Sequence, residues 1–161
     1  MAGAQPIGLK RFVRPLSLFF FYSYVLTVVV AGAWGIFGAG LDFPILMHQQ
    51  VGHLDANGSA NVLSQYRFLR GLELGFGIIA LRFRREIYAE RTLNRLFLTT
   101  MGLGIVGRVM GLAIDGLPSL AMVSFLVFEA VGIIVIFTDT RSVERARDLG
   151  VAGARSPRRG P

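Results

Sequence analysis

The sequence predicts an all-α integral membrane protein, an up-down-up-down bundle of four helices with both termini in the cytoplasm. Three observations predict this fold. The 161 residues are 53% hydrophobic with a mean hydropathy of +0.55, which is more apolar than ordinary soluble domains. Four apolar stretches of about 20 residues could each cross a hydrocarbon core about 30 Å thick. Basic connections alternate with connections that contain no Lys or Arg.

The four predicted spans follow one another closely along the chain. They are residues 15–38, 61–81, 92–114 and 118–137. Pro15 suits the first turn of the first helix, where its missing N–H needs no acceptor. The first stretch is too long for the apolar region of a cleaved signal peptide. Because the connections after the second and third spans are short, successive helices are predicted to be antiparallel neighbours.

The distribution of basic residues predicts the orientation, because cytoplasmic flanks carry an excess of Lys and Arg. Residues 82–91 and both terminal segments are basic, whereas residues 39–60 and 115–119 contain neither Lys nor Arg. The predicted location is therefore the bacterial cytoplasmic (inner) membrane, multi-pass, with the N and C termini inside. The predicted organisation is a basic cytoplasmic segment (1–14), a four-helix domain (15–138) with an outer loop (39–60), and a basic cytoplasmic tail (139–161), a short helix followed by disorder.

Charged residues inside the predicted spans are the most informative feature of the sequence. An ionised side chain near the bilayer centre costs about 2.5–3.5 kcal/mol on insertion scales, so it is normally kept where it faces protein, pairs or has a function. At 1.5 Å per residue, these charges lie about 9–18 Å below the outer edge, on three helices. With Asp115, at the outer end of the third span, they form a predicted polar seam: Arg67, Arg70, Glu73, Arg108, Asp115 and Glu129.

Helical spacing predicts that the second, third and fourth spans bring the polar seam together. At about 100° per residue, Arg67, Arg70 and Glu73 share one arc of the second helix. The predicted ion pairs are Arg108 with Glu129, and Glu73 with Arg67 or Arg70. Small residues at four-residue spacing permit close helix approach in membranes. The predicted packing glycines are Gly71, Gly75, Gly104, Gly107 and Gly111.

Three roles remain open for the polar seam. Its ion pairs can fix the register of the helices, although buried ion pairs are weak evidence of added stability. The seam can instead bind a lipid headgroup or another polar ligand, or it can form a path for protons or ions. Within the spans, three arginines face two glutamates, and this excess of positive charge favours an anionic ligand over a cationic one.

Several short motifs resemble a known family. They are Tyr66-Arg67-Phe68-Leu69-Arg70-Gly71, Gly107-Arg108, Asp115-Gly116-Leu117-Pro118 and Phe128-Glu129. Together they look like a family of small bacterial four-helix membrane proteins known only as a domain of unknown function, and the resemblance covers residues 15–138. The resemblance implies the four-helix fold and no reaction. It also implies signature positions at Arg67, Arg70 or both, and at Arg108, Asp115 and Glu129.

The sequence contains little that could carry catalysis. It has no cysteine, which excludes disulfide chemistry, iron–sulfur clusters and thiolate zinc sites. His48 and His53 are too few for a metal site of three or four ligands, and neither lies in a span where a bundle would hold haem. No hydroxyl has a histidine partner that could act as its base. We therefore predict no enzyme, no metal and no cofactor.

The predicted function is that of a non-catalytic accessory or structural subunit of a larger inner-membrane complex, with lipid or cell-envelope transport assemblies as candidates. The predicted partners are other membrane-protein subunits, in a hetero-oligomer, and anionic lipids. The net charge of +7 clusters beside apolar spans, so membrane topology explains it without nucleic acid. The alternative is a small carrier or lipid-binding membrane protein that uses the polar seam. A lipid-modifying membrane enzyme, the third hypothesis, lacks a nucleophile or a metal.

Overall fold

In a computed structural model of the chain, the backbone is described for residues 7–46 and 51–155, and side-chain burial for residues 12–45 and 52–142. The described residues are almost entirely helical and contain no strand. Four of the helices are long, and α3 is a short helix between two of them. The elements are α1 (Ile7–Leu46), a 3₁₀ turn (Val51–His53), α2 (Ala56–Arg82), α3 (Arg84–Ala89), α4 (Arg91–Ile114) and α5 (Leu120–Arg155).

The four long helices coincide with the four predicted spans, but the first continues well past its predicted end. Helix α1 runs on to Leu46, with a single non-helical residue at Gly38 (φ −96°, ψ 16°). The predicted outer loop, residues 39–60, is therefore helical at both ends, since α2 already begins at Ala56. Asp55 caps α2 by accepting a 2.8 Å hydrogen bond from the backbone N–H of Gly58, which satisfies an N–H that the first turn leaves unpaired.

The C-terminal segment also differs from the prediction. Helix α5 is continuous from Leu120 to Arg155, so the predicted short helix at the start of the tail is an extension of the last long helix. The predicted disorder that follows it falls partly within this helix. The remainder, residues 156–161, lies outside the described residues.

Three of the long helices are long and apolar enough to cross a membrane. Their apolar segments are residues 12–45, 91–114 and 120–142, which indicates a membrane protein. Helix α2 falls short on hydropathy because Arg67, Arg70 and Glu73 interrupt its apolar sequence. The predicted span at residues 61–81 stays a prediction.

The helices pack as antiparallel neighbours. Helix α1 packs against α2 and α5, and α4 packs against α5 and α3. Where α1 packs against α2, Gly32 lies against the backbone of Leu74, while Val29 lies against Gly77. These two helices therefore run in opposite directions. Two contacts between α4 and α5, from Arg108 to Glu129 and from Asn94 to Thr140, show the same direction.

The buried apolar core is small and lies toward the end of the molecule that contains α3. Its largest fully buried side chains are Phe21, Met101 and Ile136, each at most 2% exposed. The ring centroids of Phe21 and Phe97 lie 5.2 Å apart, and Phe97 stacks on Phe76 at 5.7 Å. Most other large apolar side chains of the long helices are exposed. Such an outer surface suits lipid or another protein better than water.

Candidate functional site

Asp42 organises a network of hydrogen bonds between α1 and α2. It is 3% exposed. The Trp34 indole N–H donates to its Oδ1 at 2.8 Å, and the Tyr66 hydroxyl donates to its Oδ2 at 2.7 Å. Arg70 donates to the Tyr66 oxygen, and its Nη2 lies 4.0 Å from Asp42 Oδ2. With Glu73, which binds the same arginine, these residues form what we call the Asp42 cluster.

Three glycines of α1 make room for this cluster. Gly32, Gly35 and Gly38 recur every third residue and so lie along one side of the helix. A Cβ on Gly32 would lie 2.7 Å from the backbone nitrogen of Leu74, closer than real Cβ atoms come to such an atom. A Cβ on Gly35 would overlap the side chain of Arg70. The glycines therefore let the α2 backbone approach α1 and give Arg70 space to lie across it.

The partner of Glu73 is Arg70. Its Nη1 lies 2.7 Å from Glu73 Oε2, and its guanidinium carbon lies 4.7 Å from the centre of the Tyr66 ring. The Arg70 side chain is 13% exposed, whereas that of Glu73 is 42% exposed. The sequence left both Arg67 and Arg70 as possible partners of Glu73, and in the structure the partner is Arg70.

Arg67 lies apart from the Asp42 cluster. Its Nε donates to the backbone carbonyl of Ile36 at 3.2 Å. No acidic side chain of the described residues lies within ion-pair distance of it, and it is exposed. An exposed guanidinium thus lies on a helix whose neighbouring residues are largely apolar.

The predicted pair of Arg108 and Glu129 is present and joins α4 to α5. Arg108 Nε donates to Glu129 Oε2 at 3.0 Å and Nη2 donates to Oε1 at 3.3 Å, the two-pronged geometry that strengthens arginine–carboxylate contacts. The Glu129 side chain is 12% exposed and that of Arg108 is 35% exposed. We call these two residues the Arg108 pair.

Asp115 does not join the Arg108 pair in an ion pair. It is exposed and follows the last residue of α4, and its N–H donates to the Gly111 carbonyl at 2.8 Å. Together with Arg108 it borders a cavity of about 240 Å³ between the ends of α4 and α5. The turn that closes this cavity needs Gly116, whose φ of +96° lies in the region that only glycine adopts readily.

The single seam predicted among the second, third and fourth spans is wrong in its arrangement. Of its α2 charges, Arg67 and Arg70 contact groups of α1 and Glu73 binds Arg70 on α2. The Arg108 pair lies separately between α4 and α5. Tyr24 of α1 lies in the neighbourhood of Glu73, Arg108 and Glu129. Trp34, Asp42 and Tyr66 are absent from the predicted polar seam, and the three-residue spacing of the α1 glycines was the available signal for them.

The predicted packing glycines do not mediate close packing among the residues that the structure describes. A Cβ on four of them would meet nothing within 4 Å, and one on Gly111 would meet only the side chain of Asp115, which follows the same helix. The close approaches involve Gly32, Gly35 and Gly77 instead. Contact with another chain stays a prediction for the four open positions: Gly71, Gly75, Gly104 and Gly107.

A third polar group of contacts, which the sequence did not suggest, ties α1 to α3 and α5. Arg14 Nη1 lies 2.8 Å from Asp139 Oδ2, and its guanidinium covers the Tyr88 ring at 4.3 Å. The Tyr88 hydroxyl donates to the Ser17 carbonyl at 3.0 Å. Burial raises the pKa of the Tyr88 hydroxyl to about 12, because the phenolate would lose water. These residues form the Arg14 cluster.

The chemistry of these clusters is that of charge pairing. Each carboxylate of the Asp42 cluster and of the Arg108 pair accepts a hydrogen bond from an arginine, a tyrosine or a tryptophan. Within the described residues, no three His, Asp or Glu side chains gather closely enough to hold a metal ion. The arrangement can hold helices in register and can present positive charge to an anion.

Comparison with known proteins gives a family without an assigned activity. The model of DUF4345, a domain of unknown function, matches residues 16–138. That range includes the Asp42 cluster, Arg67 and the Arg108 pair, and it is about three quarters of the chain. No curated protein and no solved structure matches. The chain therefore belongs to the DUF4345 family.

Proposed function

We propose that this protein is a non-catalytic accessory subunit of a larger complex in the bacterial inner membrane. In this proposal all four long helices cross the membrane as an up-down-up-down bundle with both termini in the cytoplasm. The observation that carries the proposal is Arg67, an exposed guanidinium on α2 without an acidic partner among the described residues. Facing lipid, such a charge costs several kcal/mol, and a protein partner removes most of that cost.

The face that carries Arg67 also suits a neighbouring helix. Gly71 and Gly75 follow Arg67 at one-turn intervals, and no other part of the described chain covers them. Small residues at this spacing let a second membrane helix approach closely. The partner expected here is a membrane helix with an Asp or Glu at the depth of Arg67. Arg70 of α2 pairs with Glu73 and lies beside Asp42 of α1, and such charge pairing argues for a structural role rather than a catalytic one.

The proposal predicts that the protein co-purifies with a stoichiometric membrane partner. The experiment is affinity purification of the tagged full-length chain from its native membrane in mild detergent, followed by mass spectrometry of proteins and lipids. In the variant Arg67→Ala the partner should be lost, because its carboxylate loses its counter-charge. Arg82→Ala is the matched control, since Arg82 is also exposed on α2 but follows the apolar part. Recovery of the wild-type chain alone, in full yield, would contradict the proposal.

A second candidate function, lipid or small-anion binding, is favoured by the cavity beside Arg108. The cavity is lined by Arg108, by Asp115 at its edge, and by apolar side chains that include Leu112, Met122 and Leu126. An anionic headgroup could lie against the guanidinium with its chain along these residues. Enrichment of one anionic lipid with the purified protein, lost in Arg108→Gln and kept in Arg82→Gln, would support this candidate. A pH-dependent transport assay that is insensitive to Glu129→Gln would remove a carrier function.

A further inference from the structure

A second cavity, which none of the polar seam residues lines, lies between the first turns of α4 and the middle of α5. Its volume is about 290 Å³. It lies at the same end of the molecule as the Arg14 cluster, because Thr140 directly follows Asp139 on α5. The residues that line it are Arg91, Asn94, Arg95, Leu98, Thr99, Ile133, Phe137, Thr140 and Arg141.

The charge of this cavity is positive. Three arginines line it, and none of the lining residues that the structure describes is acidic. Arg141 lies over the Phe137 ring, with its guanidinium carbon 4.3 Å from the ring centre. Arg95 is exposed and makes no hydrogen bond or ion pair with another described residue.

Asn94 supplies an independent indication of a ligand. It is 8% exposed, and its Oδ1 accepts a 3.3 Å hydrogen bond from Thr140. Its Nδ2 is buried and has no acceptor among the described residues. Buried polar groups are nearly always hydrogen-bonded, so an orphaned amide donor at a cavity wall calls for an acceptor. Beside the guanidiniums of Arg95 and Arg141, that acceptor is expected to be an anionic oxygen.

The first turns of α4 border the cavity. Glu90 precedes the helix and makes no side-chain capping hydrogen bond to it, so its charge offsets part of the positive end of the helix but leaves the N–H groups of the first turn unpaired by its side chain. The N-terminal end of a helix carries partial positive charge and unpaired N–H groups, and both favour an anion. Leu98, Ile133 and Phe137 form an apolar wall on the other side of the cavity.

We propose that this arginine cavity binds a phosphate oxyanion, presented by an anionic phospholipid or by free inorganic phosphate. Arginine matches phosphate oxygens with paired N–H groups, and basic pockets between membrane helices recognise such headgroups. The apolar wall gives the lipid source its acyl-chain contact. This site is separate from Arg67 and from the Arg108 pair, so it stands whether or not the protein is an accessory subunit.

The test is the affinity of the full-length protein for phosphatidylglycerol against phosphatidylcholine, measured by native mass spectrometry after delipidation. The wild-type chain should prefer phosphatidylglycerol by about tenfold or more. Arg95→Ala with Arg141→Ala should reduce that preference about tenfold, at the scale expected for two basic residues near a headgroup. Arg85→Ala is the control, because Arg85 is exposed on α3 and does not line the cavity.

A variant of Asn94 distinguishes a role of this residue in ligand binding from a role in folding. Asn94→Asp keeps the size of the side chain but places a negative charge at the cavity wall, so it should abolish the preference for phosphatidylglycerol. Thermal unfolding of this variant in phosphatidylcholine nanodiscs measures folding independently of the ligand. An unchanged preference in Asn94→Asp, or an equal loss in the Arg85→Ala control, would overturn the proposal.

Two further arms distinguish the sources of the phosphate. If the ligand is a lipid, millimolar inorganic phosphate should leave phosphatidylglycerol binding unchanged. If the ligand is a free phosphate, inorganic phosphate should raise the unfolding temperature in phosphatidylcholine nanodiscs, and the double arginine variant should lose that rise. A wild-type chain that responds to neither phosphatidylglycerol nor inorganic phosphate would overturn the proposal as well.

Discussion

The Asp42 cluster and the Arg108 pair solve the same problem, charge on apolar helices, in different ways. In the Asp42 cluster one buried carboxylate accepts hydrogen bonds from Trp34 and Tyr66 and lies beside Arg70. The Arg108 pair is a single contact, and Arg108 also borders a cavity. The first arrangement couples several residues to one buried group, so its loss should cost more. The second leaves one charge partly accessible and is therefore the better candidate for contact with a ligand.

The largest expected loss of stability follows from removal of Asp42, the central acceptor of the Asp42 cluster. Asp42→Ala removes the acceptor of two hydrogen bonds and leaves Arg70 with Glu73 as its remaining acidic partner in the cluster. Removing one partner of a buried charged network typically costs about 3–5 kcal/mol. Thermal or denaturant unfolding in detergent measures the change. Asp55→Ala, the matched control, removes an exposed helix cap and should cost about 1 kcal/mol. Equal losses in the two variants would contradict the account.

The next effect tests whether glycines of α1, rather than those of α2, create the close helix contact. Gly32→Ala places a Cβ against backbone atoms of α2, and overpacking of this kind costs about 1–3 kcal/mol. Gly71→Ala meets nothing within 4 Å and should be neutral or stabilising by up to about 1 kcal/mol, since alanine favours a helix. Unfolding of the isolated chain in detergent compares the two. A greater loss in Gly71→Ala would reverse the assignment.

A smaller effect is expected at the Arg108 pair. Glu129→Gln keeps the shape of the side chain but removes its charge, and Arg108 is partly exposed, so the cost should be about 1–2 kcal/mol. A double-mutant cycle with Arg108→Gln isolates the interaction between the two residues. A coupling as large as the loss in Asp42→Ala would show that the two arrangements do not differ as described.

The smallest effect concerns the Arg14 cluster. Tyr88→Phe removes a hydrogen bond to Ser17 and should cost about 0.5–1.5 kcal/mol at neutral pH. Because the pKa of Tyr88 is raised to about 12 from an ordinary value of 10, the stabilising effect of the hydroxyl is complete below pH 10. It should then decrease as the pH rises from 10 to 12, as the unfolded chain ionises first. A stability difference between wild type and Tyr88→Phe that is constant up to pH 12 would contradict this.

The Arg108 pair could be predicted from the sequence because each partner is an isolated charge in an apolar stretch. When two such residues lie at similar depth in the membrane, each has few other partners with which it could form an ion pair. The Glu73 partner remained open, since Arg67 and Arg70 both lie within reach on the same helix. Arg70 is the partner because Gly35 of α1 leaves space for its side chain. The sequence of α2 alone does not contain that information.

The Asp42 cluster could not be predicted because the sequence signals a helix end before it. Gly38, Gly40 and Pro44 are residues that commonly end or interrupt helices, so Asp42 is placed in a loop. In the structure α1 continues past Gly38, and Asp42 binds Trp34 and Tyr66 there. Those contacts between distant residues outweigh the local preference. Likewise, the glycine spacing on α2 indicates a packing face but not which chain packs against it.

The measurement that tests the central claim most directly is cross-linking from the α2 face in native membranes. Because the chain has no cysteine, Gly71→Cys gives a unique attachment point for a photo-activated cross-linker, and Ile134→Cys, exposed on α5, is the control. The account predicts one discrete adduct from residue 71 with a different membrane protein, through a segment that contains Asp or Glu, and none from residue 134. Lipid adducts alone, or the same products from both positions, would contradict it.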